Sequence, residues 1–216
     1  RVSPTEPLAG LIAHDWGGAV AWNAANQHPE AMRRLMVINS PHPGTFLREL
    51  QNNPAQQAAS AYMNFLIRSD AEALLSEDDF RRLWEFFTNM GAVNGPHPWL
   101  TDTFKVQYRA VWKQGLTGPL NYYRASPMRP AREGDAAVAG LQLPQSMLTI
   151  SVPTCVIWGM QDIALPAGLI DGLDTFVPKL TLHRIEDGTH WVVHEQPIRV
   201  AGLLENYLRD TKVESQ

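Results

Sequence analysis

Cysteine is nearly absent: Cys155 is the only one in 216 residues, and it sits inside the apolar run CVIW. A disulfide framework and a Cys-x-x-Cys metal or redox site are therefore excluded. No block of Lys or Arg occurs, and 18 basic against 22 acidic side chains leave a net charge of −4. That balance argues against nucleic acid or an anionic membrane as the main partner. No apolar run approaches the roughly 18 residues of a bilayer span. The opening RVSPTEP lacks the basic and apolar regions of a signal peptide, so a cytoplasmic location is expected. Internal repeats and low-complexity stretches are missing too. What is present is globular in composition, 44% apolar and 19% charged, which excludes a largely disordered chain. The length suits one ordinary domain with an inserted subdomain.

Leu8–Ala13 (LAGLIA) is a short apolar run, the pattern of a strand buried on both faces. Ala19–His28 reads as an Ala-rich helix stopped near Pro29, and Leu35–Asn39 (LMVIN) as a second buried strand. Strand, tight turn, helix, strand is a βαβ unit of a parallel sheet. From Thr45 to about Leu120 the signals are helical. Ser76–Asp79 resembles a capping box before Phe80, Leu83, Trp84 and Phe87. Thr101 suits a helix cap, and Pro119 the first turn of a helix carrying Leu120, Tyr122 and Tyr123. Residues 126–146 read as a connecting loop. Sheet signals resume at Thr154–Trp158 and Leu180–Ile185, and Pro197 opens a final helix. The expected order after the insert is β-α-β-α.

His14-Asp15-Trp16-Gly17-Gly18 falls where a buried strand turns into a helix, the shape of a nucleophile elbow. Small residues are needed two before and two after the apex, where Ala13 and Gly17 stand, and Gly18 helps further. The apex itself is Asp15, not Ser or Cys. Alone, this segment reads equally as a helix cap on a Gly-rich turn. Two later sites shift the balance. Asp162 follows a buried strand, on the rim where α/β active sites gather, and His190 lies in the loop after the last strand. The order nucleophile, acid, histidine is that of α/β-hydrolases.

The runs HDWGGAVAW (14–22), PHP (41–43) and GTHWVVHEQP (188–197) resemble the α/β-hydrolase superfamily, in particular its epoxide hydrolase and haloalkane dehalogenase branch. The resemblance covers nearly the whole chain. It implies an α/β fold, the C-terminal part of an α/β-hydrolase parallel sheet, with core residues 1–40 and 147–216 and a helical lid over 41–146. It also implies Asp15 as nucleophile, His190 as base and Asp162 as orienting acid, with the Trp16 N–H at an oxyanion and His14 on the floor of the site. A carboxylate nucleophile suits displacement at sp³ carbon, because acyl transfer would leave a labile anhydride. An alkyl-enzyme ester would form, and water activated by His190 would cleave it.

A halide leaves as a stable anion, whereas an epoxide oxygen leaves as a basic alkoxide that wants a proton. Tyr62 in SAYMNF and Tyr123 in PLNYYR resemble the two lid tyrosines of epoxide hydrolases that supply it. The expected reaction is cofactor-independent hydrolysis of a small apolar epoxide to a vicinal diol, with water as the second substrate and no metal. A haloalkane dehalogenase is the enzymatic alternative, with Trp84, Trp99 or Trp112 as a second halide donor. A non-catalytic relative that binds a ligand or protein partner is the other. Trp16 stands where fluoroacetate dehalogenases carry Arg. Only 14 residues precede Asp15, and no His-Gly-x-Pro occurs. The resemblance therefore leads us to expect a C-terminal fragment of a longer enzyme, with LAGLIA as an exposed apolar edge and half the oxyanion hole absent.

Overall fold

A computed structural model describes residues 6–210; the ends of the opening loop and of the chain, 1–5 and 211–216, lie outside the described residues. Four strands form one parallel sheet in the order β1 (Leu11–His14), β2 (Leu35–Ile38), β3 (Thr154–Gly159), β4 (Leu180–Ile185). The chain is thus α/β, as the βαβ pattern predicts. β2 and β3 are buried along their whole length, which their unbroken apolar runs require in a sheet covered on both faces.

β1 departs from the expected span. It begins at Leu11, and Leu8 contributes only an isolated bridge to Met32. Among the described residues β1 pairs with β2 alone, so Ile12 stays 49% exposed and the strand is not buried on both faces. Helix α1 (Trp16–Gln27) begins three residues earlier than its alanines suggest, directly after Asp15. It packs Ala21, Trp22 and Ala25 into the main core.

All the residues between β2 and β3 lie in helices, turns and loops: α2 (Pro43–Asn52), α3 (Pro54–Ala59), α4 (Tyr62–Leu66), α5 (Ala71–Asn89), α6 (Asp102–Trp112) and α7 (Thr117–Ala125). Thr101 caps α6 as expected, its hydroxyl accepting from the Phe104 N–H. Ser76 does not cap. Its hydroxyl donates back to the Glu72 carbonyl, and α5 breaks at Glu77–Phe80, with positive φ at Asp78, Asp79 and Phe80. The break lets Phe80 turn into a cluster with Leu75, Leu116 and Leu120, while the Asp79 carboxylate takes Arg109 of α6 at 2.7 Å.

The expected helix between β3 and β4 is absent. Two single 3-10 turns, Ala167–Ile170 and Leu173–Thr175, fill that place, separated by Gly172 at φ 68. After β4 come a short helix α8 (Val192–Glu195) and α9 (Pro197–Arg209). α9 packs Val200 and Tyr207 against Met36, Cys155 and Ile157 on the second face of the sheet. Among the described residues no helix is long and apolar enough to cross a membrane.

Candidate active site

Three loops leave the C-terminal ends of β1, β3 and β4 on one rim, and each carries one of the chemical groups singled out in the sequence. Asp15 sits between β1 and α1 at φ 49, ψ −126, a conformation that side chains other than glycine seldom adopt. Its N–H is bonded to Ile38 of β2 and its carbonyl accepts from Gly18 and Ala19, so strand and helix together hold the strained turn. The glycine that this turn needs is Gly18, where a Cβ would collide with the side chain of Ser40. At Gly17 a Cβ would meet only Ala13, at 4.0 Å. The tight contact is therefore one residue beyond the position that the elbow spacing indicates. Trp16 opens α1, so its backbone N–H is one of the unpaired donors of a helix start.

His190 stands between two carboxylates. Its Nδ1 lies 2.8 Å from Asp162 Oδ2, and its Nε2 lies 3.6 Å from Asp15 Oδ1. The Asp162 side chain is fully buried, whereas that of Asp15 is 41% exposed. Asp162 Oδ1 accepts the N–H groups of Ala164 and Leu165, both at 2.9 Å. Burial by itself disfavours a charged His190, but the carboxylates of Asp162, Asp15 and the more distant Glu195 outweigh it and hold the imidazole up at about 9. Glu195 clamps the loop in turn, accepting from the Thr189 N–H at 2.8 Å and its hydroxyl at 2.7 Å. Gly159 completes the support: a Cβ there would stand 2.7 Å from the Gly188 carbonyl oxygen, so only glycine lets the β3 end pass under the His190 loop.

His14, expected on the floor of the site, lies beside His190. Its Nε2 donates to the His190 carbonyl at 3.0 Å, and burial, followed by the neighbouring His190 charge, lowers its proton affinity. Asn39, in the sequence only the end of a buried strand, is joined to the site as well. It is buried, and its side-chain nitrogen lies 2.8 Å from Asp162 Oδ2. Nothing in the run LMVIN signals that contact, which depends on two strands meeting. His42, the centre of the PHP run, is 1% exposed, stacked on Phe176 and held down at about 4 by burial.

Tyr62 at the start of α4 and Tyr123 in α7 come together, with ring centroids 6.1 Å apart. The Tyr123 ring stands edge-on to Trp16 at 5.0 Å. Burial, with the charge of Asp15 adding to it, raises Tyr123 to about 12; Tyr62 is raised as well, again chiefly by burial. Both phenols are thus held protonated at neutral pH. Tyr122 instead lies on the exposed side of α7. Trp84 and Trp112 pack on each other at 4.3 Å, and Trp99 stacks on His194 at 4.1 Å, so these three indoles fill packing positions.

A cavity of about 160 Å³ adjoins Asp15, Trp16, Phe46, Tyr62 and Met63. A second, of about 440 Å³, lies among residues of α4, α5, α6 and α7 and Leu116 between the last two. Its lining is mostly apolar and includes Tyr62 and Tyr123. Among the described residues no group of three or more His, Cys, Asp or Glu side chains is placed to hold a metal ion.

A family model described as alpha/beta hydrolase fold matches residues 3–197. The AB hydrolase superfamily protein YfhM of Bacillus subtilis (strain 168) is 32% identical over 209 residues, covering 95% of this chain and 68% of its own. Epoxide hydrolase 4 of Mus musculus is 32% identical over 207 residues, which are 93% of this chain and 54% of the mouse protein. The chain spans about half the length of the curated epoxide hydrolases it matches. Among solved structures, that of a Bacillus megaterium epoxide hydrolase bound to an inhibitor superposes with a TM-score of 0.79 at 30% identity. It covers 93% of this chain and 69% of the other.

Proposed function

The chain belongs to the α/β-hydrolase fold family, and from that premise we propose that it hydrolyses an epoxide to a vicinal diol through an ester on Asp15. The observation that carries this reading is the imidazole of His190 set between the carboxylates of Asp162 and Asp15, 2.8 Å from one and 3.6 Å from the other. The similarity to epoxide hydrolases at about 30% identity supports the substrate class. Residues 41–146, which hold α2 to α7, act in this reading as a lid over the core formed by 1–40 and 147–216.

In the first step an Asp15 oxygen attacks one ring carbon and the C–O bond breaks. The alkoxide takes a proton from Tyr62 or Tyr123, whose raised proton affinity keeps that proton available at neutral pH. An alkoxide is far more basic than a phenolate, so the transfer runs downhill. In the second step water gives a proton to His190 Nε2 and attacks the carboxyl carbon of the ester. The Trp16 N–H, at the positive end of α1, stabilises the resulting oxyanion. Collapse releases the diol, frees the Asp15 carboxylate and returns the proton to the phenolate. Asp162 holds Nδ1 throughout and balances the imidazolium.

Esterification also prepares the base. Asp15 is one of the charges that raise His190. Once Asp15 is an ester, that charge is gone and the proton affinity of the imidazole falls; the proton it then gives up to solvent, and takes back when the carboxylate is freed, leaves the neutral acceptor that the second step needs. The apolar linings of the cavities at Asp15 and behind the tyrosines support an uncharged substrate.

The test is a single turnover of a limiting amount of styrene oxide by excess intact protein in ¹⁸O-labelled water, followed by mass spectrometry. The mechanism expects the label in the peptide containing Asp15, because water attacks the enzyme carboxyl carbon. Label found only in the diol would refute the ester, and no diol from a broad epoxide panel would refute the activity.

A further inference from the structure

Asn39 follows β2 and is fully buried, with φ 39 in the left-handed region that asparagine tolerates better than most residues. Its Oδ1 accepts the Gly159 N–H at 2.9 Å. A backbone N–H can only donate, so the amide has one possible orientation, with Nδ2 turned to Asp162 Oδ2 at 2.8 Å and to the Thr189 carbonyl at 3.3 Å. One side chain thereby joins the end of β2, the end of β3, the buried acid and the residue before His190.

We infer that Asn39 is a positioning residue: its amide donates to the same Asp162 oxygen that accepts from His190 Nδ1, and so sets how strongly that carboxylate holds the imidazolium. An oxygen already receiving one charge-assisted hydrogen bond is a weaker acceptor for a second. The amide therefore tempers the pull of Asp162 on the His190 proton. Losing it would not release the carboxylate, because Oδ1 stays pinned by Ala164 and Leu165. The other groups facing His190 are Asp15, His14 and Glu195, along with the Trp191 ring. The hydrogen bonds of the Asn39 side chain go to Gly159, Asp162 and Thr189, so substituting it leaves those neighbours in place. The value of this tempering to catalysis rests on His190 being the base, but the effect on its titration does not.

The test follows the His190 ring by NMR through a pH titration of the intact protein carrying Asn39→Gly or Asn39→Ala. Both remove the amide, but only alanine is strained at a positive φ. The expected result is a His190 midpoint raised by roughly half a unit to one unit, equally in both variants, while alanine alone carries an added loss of thermal stability. A midpoint unchanged or lowered in the folded glycine variant overturns the inference, as does a shift confined to alanine. Should the alanine variant fail to fold, the glycine variant decides. Because the readout needs no turnover, it stands or falls separately from the proposed epoxide chemistry.

Discussion

Replacing Asp162 by Asn removes one charge and leaves the shape nearly intact, which makes it the sharpest probe of the His190 environment. In the folded protein His190 is held at about 9, against 6.5 for a free imidazole. At about 1.4 kcal/mol per unit, the folded state favours the imidazolium by about 3 kcal/mol relative to the unfolded chain. The raised value fixes the sign. Below pH 6.5 both states are protonated and this stabilisation is fully present. Between 6.5 and 9 the folded chain keeps a proton that the unfolded chain has lost, so stability falls as pH rises through that window. Cys155 and the buried tyrosines, which sit higher, act only above it.

In Asp162→Asn, burial is left opposed only by Asp15 and the more distant Glu195, so His190 falls toward or below 6.5. The variant amide also turns a donor toward Nδ1, which favours the tautomer with the proton on Nε2, the wrong one for a base. The same inversion in a Ser-His-Asp site costs on the order of 10⁴ in kcat. Urea denaturation from pH 6 to 9.5, run on both proteins, is the assay. The native protein should lose about 3 kcal/mol more across the window than the variant. Equal slopes, or a variant His190 still titrating near 9 by NMR, would refute the coupling of His190 to Asp162.

His42 works in the opposite sense. Its folded value of about 4 lies below 6.5, so its contribution is present above pH 6.5 and is lost as pH falls through 4. His42→Asn keeps an acceptor for the Gly44 N–H and should flatten the acid branch of the stability curve by up to about 3 kcal/mol, as measured by urea denaturation at pH 4 and 6.5. The paired variant Tyr62→Phe with Tyr123→Phe should keep the thermal melting point within a few degrees while lowering kcat for epoxide opening by about 10² or more. Epoxide opening at the native rate would take the proton-donor role away from the two phenols.

Local chemistry alone determined much of this protein. Unbroken apolar runs mark β2 and β3 because a strand covered on both faces has no polar positions to show. The strand-to-helix turn at Asp15 is legible because so few residues fit there. Asp162 could be named because it follows such a strand, His190 because it follows the last strand in the order nucleophile, acid, histidine, and Tyr62 and Tyr123 because their segments resemble a known pair. What the sequence misplaced depends on what packs against what. That Gly18 rather than Gly17 is the tighter of the two elbow glycines follows from Ser40, which crowds it from another loop. The Ser76 capping box dissolves because Phe80 gains more by turning into a neighbouring cluster. Asn39 was invisible because its role lies in hydrogen bonds to residues more than a hundred positions away. Tertiary structure alone decided these points, since a hydrogen-bond hub and a steric contact belong to pairs of residues and not to any one stretch of chain.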